Sequence, residues 1–205
     1  MPHKIVDPSH GEPKNNEARR AVLVFGVDEI RLHRDGSSVP VTVDALNSSG
    51  VDGLADVTHL VINIHCSSAH LAPLHRLSLS RLTSLHTLSI QVQYDTDVND
   101  RIITVWRGIL AVLQSLPEAT RIANVSITSP VPHRVLRVGW ASSTLVRDLA
   151  QPLYSMDHCL VALVDRAPLQ EIVLVAPADE YFTSTERTRV RAFFPALSDY
   201  GLLRF

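Results

Sequence analysis

The chain has 205 residues, of which 45% are apolar and 20% are charged. These proportions are typical of a globular protein and exclude a disordered chain or a coiled coil. The formal net charge is −2, with 19 Lys and Arg against 21 Asp and Glu, so the basic excess of a nucleic-acid-binding protein is missing.

Cysteine usage and the N-terminal composition indicate the compartment. Two cysteines are too few for a disulfide framework and fit a reducing environment. Residues 1–20 are polar and lack the apolar segment of a signal peptide, and no apolar run has the length needed to span a bilayer. We therefore expect a cytoplasmic or nuclear protein that binds neither membranes nor nucleic acid.

The N-terminal part contains three predicted elements. Residues 1–20 are rich in Pro, Gly and Asn and are predicted to be a flexible lead-in, with residues 21–205 forming one domain. The apolar run 21–25, which Gly26 ends, is typical of a buried strand. Residues 30–32 alternate in polarity and are predicted to pair with residues 39–43 across a turn at Asp35-Gly36.

A spacing of three, three and two recurs between apolar residues, as in Leu71, Leu74, Leu77 and Leu79. This spacing is the signature of a leucine-rich repeat, in which the steps of three form a turn and the step of two a short strand. The penultimate apolar positions are Leu60, Leu77, Leu88, Val125 and Ile172, with intervals of 17, 11, 37 and 47 residues. Because the first two intervals are too short for a repeat, Leu77-x-Leu79 is predicted to belong to a turn or loop.

The remaining elements follow from apolar periodicity and from Pro and Gly. Strands are predicted at 60–64, 87–93, 122–127 and 171–175. Helices are predicted at 100–115, at 141–151 and 154–165 on either side of Pro152, and from Thr183 or Ser184 towards Pro195. This order favours an α/β fold with a mostly parallel sheet and crossover helices, as an irregular leucine-rich-repeat-like layer or short horseshoe.

Five of the ten histidines lie between residues 59 and 86, and His65, Cys66 and His70 are potential zinc ligands within six residues. No C-x-x-C pair accompanies them, and strand alternation sends His65 and Cys66 to opposite faces. We therefore predict no metal site and no cofactor, and His65, Cys66 and His70 are only candidates. Cys66 beside His65 also has two of the residue types of a cysteine nucleophile, but adjacency in sequence is poor evidence for catalysis.

Sequence motifs of catalysis and phosphate binding are missing. The chain has no G-x-S-x-G elbow, no G-x-x-x-x-G-K-[ST] loop and no G-x-G-x-x-G fingerprint, so no catalytic residue is predicted. Arg187, Arg189 and Arg191 on the last predicted helix form either a charged outer face, which we favour, or a small patch for an anionic partner.

Four segments carry a resemblance to a known family: Leu85-His86-Thr87-Leu88-Ser89-Ile90, Trp106-x-x-Ile109-Leu110 running into Leu116-Pro117, Leu169-x-x-Ile172-Val173-Leu174, and Phe194-Pro195-x-Leu197 followed by Gly201-Leu202-Leu203-Arg204-Phe205. Over roughly residues 55–205, the chain resembles the C-terminal, leucine-rich-repeat-like region of fungal F-box-like proteins of the basidiomycete type. The resemblance implies a partner-binding repeat region and no shared catalytic residues.

In that family the F-box recruits a ubiquitin ligase core, but no F-box is recognisable in this sequence. The expected function is therefore a protein–protein interaction module, the substrate-recognition half of an F-box-like ubiquitin-ligase adaptor that lacks the F-box. Three alternatives stay open: a small hydrolase or transferase with a non-standard site, a His-rich metal-binding protein using residues 59–75, and a family remnant without function.

Overall fold

The structure, a computed structural model, describes residues 20–26, 29–48, 54–66, 69–94, 99–128, 131, 144–175 and 182–205. Its strands are β1 (Arg20–Phe25), β2 (Ile30–Arg34), β3 (Ser37–Val41), β4 (His59–His65), β5 (Thr87–Gln93), β6 (Asn124–Thr128), β7 (Glu171–Val175) and β8 (Leu203–Arg204). Its α-helices are α1 (Val43–Asn47), α2 (Asn99–Gln114), α3 (Thr144–Val164), α4 (Ser184–Arg191) and α5 (Pro195–Asp199), and Leu54–Asp56 and Ala69–Arg76 are 3₁₀-helical. The predicted lead-in lies outside the described residues except for Arg20, which begins β1.

The N-terminal hairpin forms at the predicted turn. β1 pairs antiparallel with β2, and β2 pairs antiparallel with β3. Asp35 and Gly36 both have positive φ, 50° and 74°, between the paired residues Arg34 and Ser37. A two-residue turn with positive φ at both positions matches the twist of the flanking strands, which is why Asp-Gly is favoured there.

The strands in the described part of the chain form one sheet in the order β3-β2-β1-β4-β5-β6-β7-β8. Every pairing from β1–β4 through to β7–β8 is parallel. The predicted α/β fold with a mostly parallel sheet is therefore confirmed, and the predicted strands at 87–93 and 171–175 have the observed bounds. Because each connection steps to the next strand in the same direction, right-handed crossovers place the connecting helices on one face of the sheet.

Alternate strand residues point into the core beneath those helices. The inward side chains of the four central parallel strands are all aliphatic and no more than 2% exposed, namely Leu60, Ile62, Ile64, Leu88, Ile90, Val92, Val125, Ile127, Ile172 and Leu174. Burying each such side chain stabilises the fold by about 1.5–3 kcal/mol. The same registers align Leu60, Leu88, Val125 and Ile172 at one level of the sheet.

The leucines spaced three apart lie in 3₁₀ turns. Leu71 and Leu74 belong to the 3₁₀-helix Ala69–Arg76, whose three residues per turn place both of them on the buried side. The N–H groups of Leu77, Leu82 and Leu85 each donate to the carbonyl three residues earlier. Leu77-x-Leu79 is not a strand, as predicted, and the Leu79 N–H donates to Ser115 Oγ at 2.8 Å.

The prediction of two helices separated by Pro152 is wrong, because α3 runs from Thr144 to Val164 with Pro152 inside it. An interior proline costs a helix about 3 kcal/mol or more. One face of α3 carries five apolar side chains, on both sides of Pro152. Each of them is 0% exposed: Leu149, Leu153, Met156, Leu160 and Leu163. Their burial outweighs the proline penalty, so packing decides where the helix ends.

The last predicted helix begins at Ser184, one of its two predicted start positions. Thr183 Oγ1 accepts from the Glu186 N–H at 3.2 Å, and Glu186 Oε2 accepts from the Thr183 N–H at 2.8 Å, which is a capping box. The helix does not continue through Pro195, which instead starts the short helix α5. Gly201, with φ of 68°, then turns the chain into β8.

Gly108 lets α2 approach the 3₁₀-helix Ala69–Arg76. A Cβ atom at Gly108 would lie 2.7 Å from Leu74 Cδ2, and Leu74 is 1% exposed. We expect Gly108→Ala to lower the free energy of unfolding by about 1 kcal/mol, because overpacking outweighs the gain in helix propensity. Urea unfolding measures this, with Thr104→Ala on the exposed side of α2 as the control. Equal or higher stability of Gly108→Ala would contradict the close approach.

Candidate partner-binding face

The side of the sheet opposite the core carries the outward strand residues. Burial alternates along β1, β4, β5 and β6, with each buried residue followed by a partly exposed one. We define the open face as the outward residues of β1, β4, β5, β6 and β7, which are Arg20, Val22, Val24, His59, Val61, Asn63, His65, Thr87, Ser89, Gln91, Gln93, Asn124, Ser126, Thr128, Glu171, Val173 and Val175. The parallel sheet makes this face continuous across five strands.

Registers arrange these side chains in straight rows across the strands. One row is Val22, Val61, Ser89, Ser126 and Val173, and the next is Val24, Asn63, Gln91, Thr128 and Val175. The Ser126 hydroxyl donates to Ser89 Oγ at 2.8 Å, which ties two neighbouring strands within the first row. The open face is therefore a surface of fixed side-chain positions.

The open face lies outside the hydrophobic core. The described residues of the core, and those packed against it, come from the inward strand positions, the helices and the turns, and they do not include Val22, Val61 or Val173. The core side of the sheet is covered by α2 and α3, which pack against each other. Chemically, the open face offers hydroxyl, amide and imidazole groups among valines, which suits hydrogen bonding and close contact with another surface.

The structure describes the side chains of two of the three candidate zinc ligands. His65 is the last residue of β4 and lies on the open face, whereas the next residue, Cys66, is 1% exposed and belongs to the core. The side chain of His70 lies outside the described residues. Among the residues whose placement the structure describes, no group of three or more His, Cys, Asp or Glu side chains could hold a metal ion.

The described cysteines are not in the environment of a nucleophile. Cys66 is buried, and a reactive thiol needs access to its substrate. Burial raises the pKa of the Cys159 thiol, and the positive charge of Arg166 offsets this only in part. A raised pKa disfavours the thiolate, which is the nucleophilic form.

Tyr94, which follows β5, is a titratable residue with a perturbed pKa. Its hydroxyl oxygen accepts a hydrogen bond from Trp106 Nε1 at 3.1 Å, and Trp106 is 0% exposed. Burial raises the pKa of Tyr94 well above its ordinary value, the neighbouring Cys66 raises that pKa further, and the hydrogen bond from Trp106 lowers it. A neutral, hydrogen-bonded tyrosine at this position links the end of β5 to α2.

The raised pKa of Tyr94 predicts a loss of stability in alkali. Above about pH 10 the unfolded chain releases the tyrosine proton while the folded chain retains it, so the free energy of unfolding falls as pH rises. We expect Tyr94→Phe to show a smaller fall than the wild type between neutral pH and pH above about 10 in urea unfolding. Tyr200→Phe, at an exposed residue, keeps Tyr94 and should keep the wild-type dependence. Identical pH profiles for Tyr94→Phe and the wild type would contradict the assignment.

Two further features are possible binding sites: a cavity and the arginine group of α4. A cavity of about 20 Å³, lined mainly by leucines that include Leu23, Leu46 and Leu60, has room for about one water molecule and does not fit a small-molecule ligand. In the arginine group of α4, Arg187 Nε donates to the Phe182 carbonyl at 3.1 Å, and the Arg191 guanidinium lies 5.2 Å from the Phe205 ring centroid. These contacts hold the C-terminal elements together, which favours the predicted charged outer face.

The open face is not among the sites predicted from the sequence. The signal was present as uncharged polar residues at every second position of the predicted strand 87–93, and at Asn124 and Ser126 in the predicted strand 122–127, alternating with aliphatic ones. Within the described ranges, no helix is both long and apolar enough to cross a membrane.

Comparison of the chain with protein-family models, curated proteins and solved structures found no match. The resemblance to F-box-like proteins therefore stays a prediction.

Proposed function

We propose that this protein is a protein–protein interaction module that binds its partner on the open face. The observation that carries the proposal is the sheet itself: in the part of the chain that the structure describes, helices cover one side, and the outward side chains of five registered strands are partly or fully exposed on the other. Stacked parallel strands provide an extended binding surface of this kind. The cavity described above is too small for a substrate, and the described cysteines are not activated.

The finer proposal concerns the biological role. From the family resemblance, we propose that the partner is a substrate of a ubiquitin ligase and that binding takes place in the cytoplasm or nucleus. The protein would then act as the substrate-recognition half of an F-box-like adaptor that lacks the F-box. Recovery of a ubiquitin-ligase subunit together with the partner would support this role, and a partner that is never ubiquitinated would contradict it.

The test of the binding face uses two glutamines. Gln91 is at the centre of the open face, on β5, and Gln114 is exposed at the end of α2, in the helical layer. An arginine at Gln91 would place an unpaired charge in the contact, and burying such a charge weakens association by more than about tenfold. An arginine at Gln114 makes the same chemical change on the helical side of the sheet.

The measurement is affinity capture of the tagged full chain from its native cell, followed by quantitative mass spectrometry. We expect one reproducible partner to be captured by the wild type and by Gln114→Arg, and to be reduced at least about tenfold by Gln91→Arg. Melting temperatures within about 2 °C of one another show that the variants are folded. Capture that is unchanged by Gln91→Arg, or lost only in Gln114→Arg, would place the binding surface elsewhere.

A further inference from the structure

The centre of the open face is uncharged. The outward positions of β4, β5 and β6 carry no Lys, Arg, Asp or Glu, and their polar side chains are amides, hydroxyls and imidazoles. In the described strands, charged outward residues occur only outside β4, β5 and β6, at Arg31 in β2, Arg20 in β1, Glu171 in β7 and Arg204 in β8. A charged side chain of a partner would lose its hydration at this centre without meeting an opposite charge.

Side-chain amides and a hydroxyl group lie side by side at the centre of the open face. Asn63 and Gln91 are register partners on neighbouring strands, and Thr128 follows Gln91 in the same row. Asn63 Oδ1 is buried and has no hydrogen-bond partner among the residues that the structure describes. The side-chain amide of Gln91 is partly exposed and both donates and accepts, so it can pair with an N–H or with a carbonyl of a partner.

We infer that the open face recognises an extended, uncharged segment of the partner through the main chain of that segment, an inference that rests on the proposed function. A polypeptide backbone is neutral and presents N–H donors and carbonyl acceptors in alternation, which is the pattern that amide side chains can satisfy. The valines on either side of the amides provide aliphatic contact for small side chains. Neither a basic nor an acidic segment has a counterpart in the central three strands.

The width of the open face sets the length of the partner segment that can cross it. Neighbouring strands lie about 4.8 Å apart, so the row from Val24 on β1 to Val175 on β7 is about 19 Å long. An extended chain rises about 3.3 Å per residue, so about six residues cross the five strands. The side-chain amide of Gln91 would contact the middle of that segment.

The probe for this inference is a phage-displayed library of random linear peptides, selected on the full chain. We expect enriched peptides to share an uncharged core of about six residues, the length that crosses the sheet. Their affinity, measured by fluorescence anisotropy, should change less than about twofold between about 0.05 and about 0.5 M salt, because charge screening does not affect uncharged contacts. Gln91→Glu, which replaces the amide donor with a charged acceptor, should weaken binding at least about tenfold. The matched variant Gln114→Glu should bind like the wild type.

Three results would overturn the inference. Enriched peptides rich in Lys and Arg or in Asp and Glu, with affinity that falls steeply with salt, would show recognition by charge. Equal binding by Gln91→Glu and the wild type would place the peptide elsewhere. If no peptide is enriched although Gln91→Arg abolishes partner capture, the open face binds a folded surface, so this inference fails while the proposed function stands.

Discussion

Replacing Trp106 with alanine is expected to lower the free energy of unfolding by about 4 kcal/mol. Trp106 is 0% exposed in the middle of α2 and belongs to the hydrophobic core. Its removal leaves a large cavity and deletes the hydrogen bond that the indole N–H donates to the Tyr94 hydroxyl. Because small domains have a total stability of about 5–15 kcal/mol, this single change removes a large part of it.

Urea unfolding checks the effect of Trp106→Ala, with two comparisons. Trp106→Phe keeps most of the ring volume and loses the hydrogen bond, so it should cost about 1–2 kcal/mol. Arg107→Ala, at the next and exposed residue, should stay within about 0.5 kcal/mol of the wild type. If Trp106→Ala lowers the free energy of unfolding by less than about 1 kcal/mol, Trp106 is not packed in the core as described.

The second large effect concerns Asp157, an acidic residue of α3 that is 0% exposed. Its Oδ2 accepts from the Ala196 N–H and its Oδ1 from the Leu197 N–H, both at 2.9 Å. These amides belong to the first turn of α5, where Phe194 provides no side-chain cap. Asp157 therefore supplies from another helix the carboxylate that the start of α5 needs.

We expect Asp157→Ala to lower the free energy of unfolding by about 3 kcal/mol, because one buried and one partly buried N–H group lose the carboxylate that accepts from them. Hydrogen exchange should also accelerate at the Ala196 and Leu197 amides. The control is Asp148→Ala, which removes an exposed carboxylate from the same helix and should cost less than about 0.5 kcal/mol. Equal stability of the two variants would show that Asp157 does not hold α5 in place.

Local patterns predicted much of the fold. The alternation of Leu88, Ile90 and Val92 with polar residues predicts β5 to the residue, and the predicted helix start at Thr183 or Ser184 agrees with the start of α4 at Ser184. The intervals around Leu77 showed that this leucine could not end a repeat strand. These features depend on neighbours within a few residues, which is the range over which sequence periodicity is informative.

The errors and omissions arise from contacts between distant segments. Pro152 is a local signal for a helix end, but packing of Leu149 and Leu153 on its two sides keeps α3 continuous. Asp157 caps α5 from about 40 positions away in the sequence, and no local pattern predicts this contact. A sequence reveals such contacts only when the arrangement of the elements is known.

The open face was predictable only in part. Strand alternation predicts that Ser89 and Gln91 point away from the core, but not that Asn63 and Thr128 lie in the same row, because row membership depends on strand order and register. The histidine count drew attention to His65 and Cys66 instead, and these two residues lie on opposite sides of the sheet.

The most direct test of the binding face is site-specific photo-crosslinking in the native cell. A benzoylphenylalanine is introduced at Gln91 on the open face or, as the matched position, at Gln114 in the helical layer. We predict that illumination joins the protein to one defined partner from position 91 and not from position 114. A crosslink from position 114 alone, or no crosslink from position 91 to a partner that is nevertheless captured, would contradict the assignment of the open face as the binding surface.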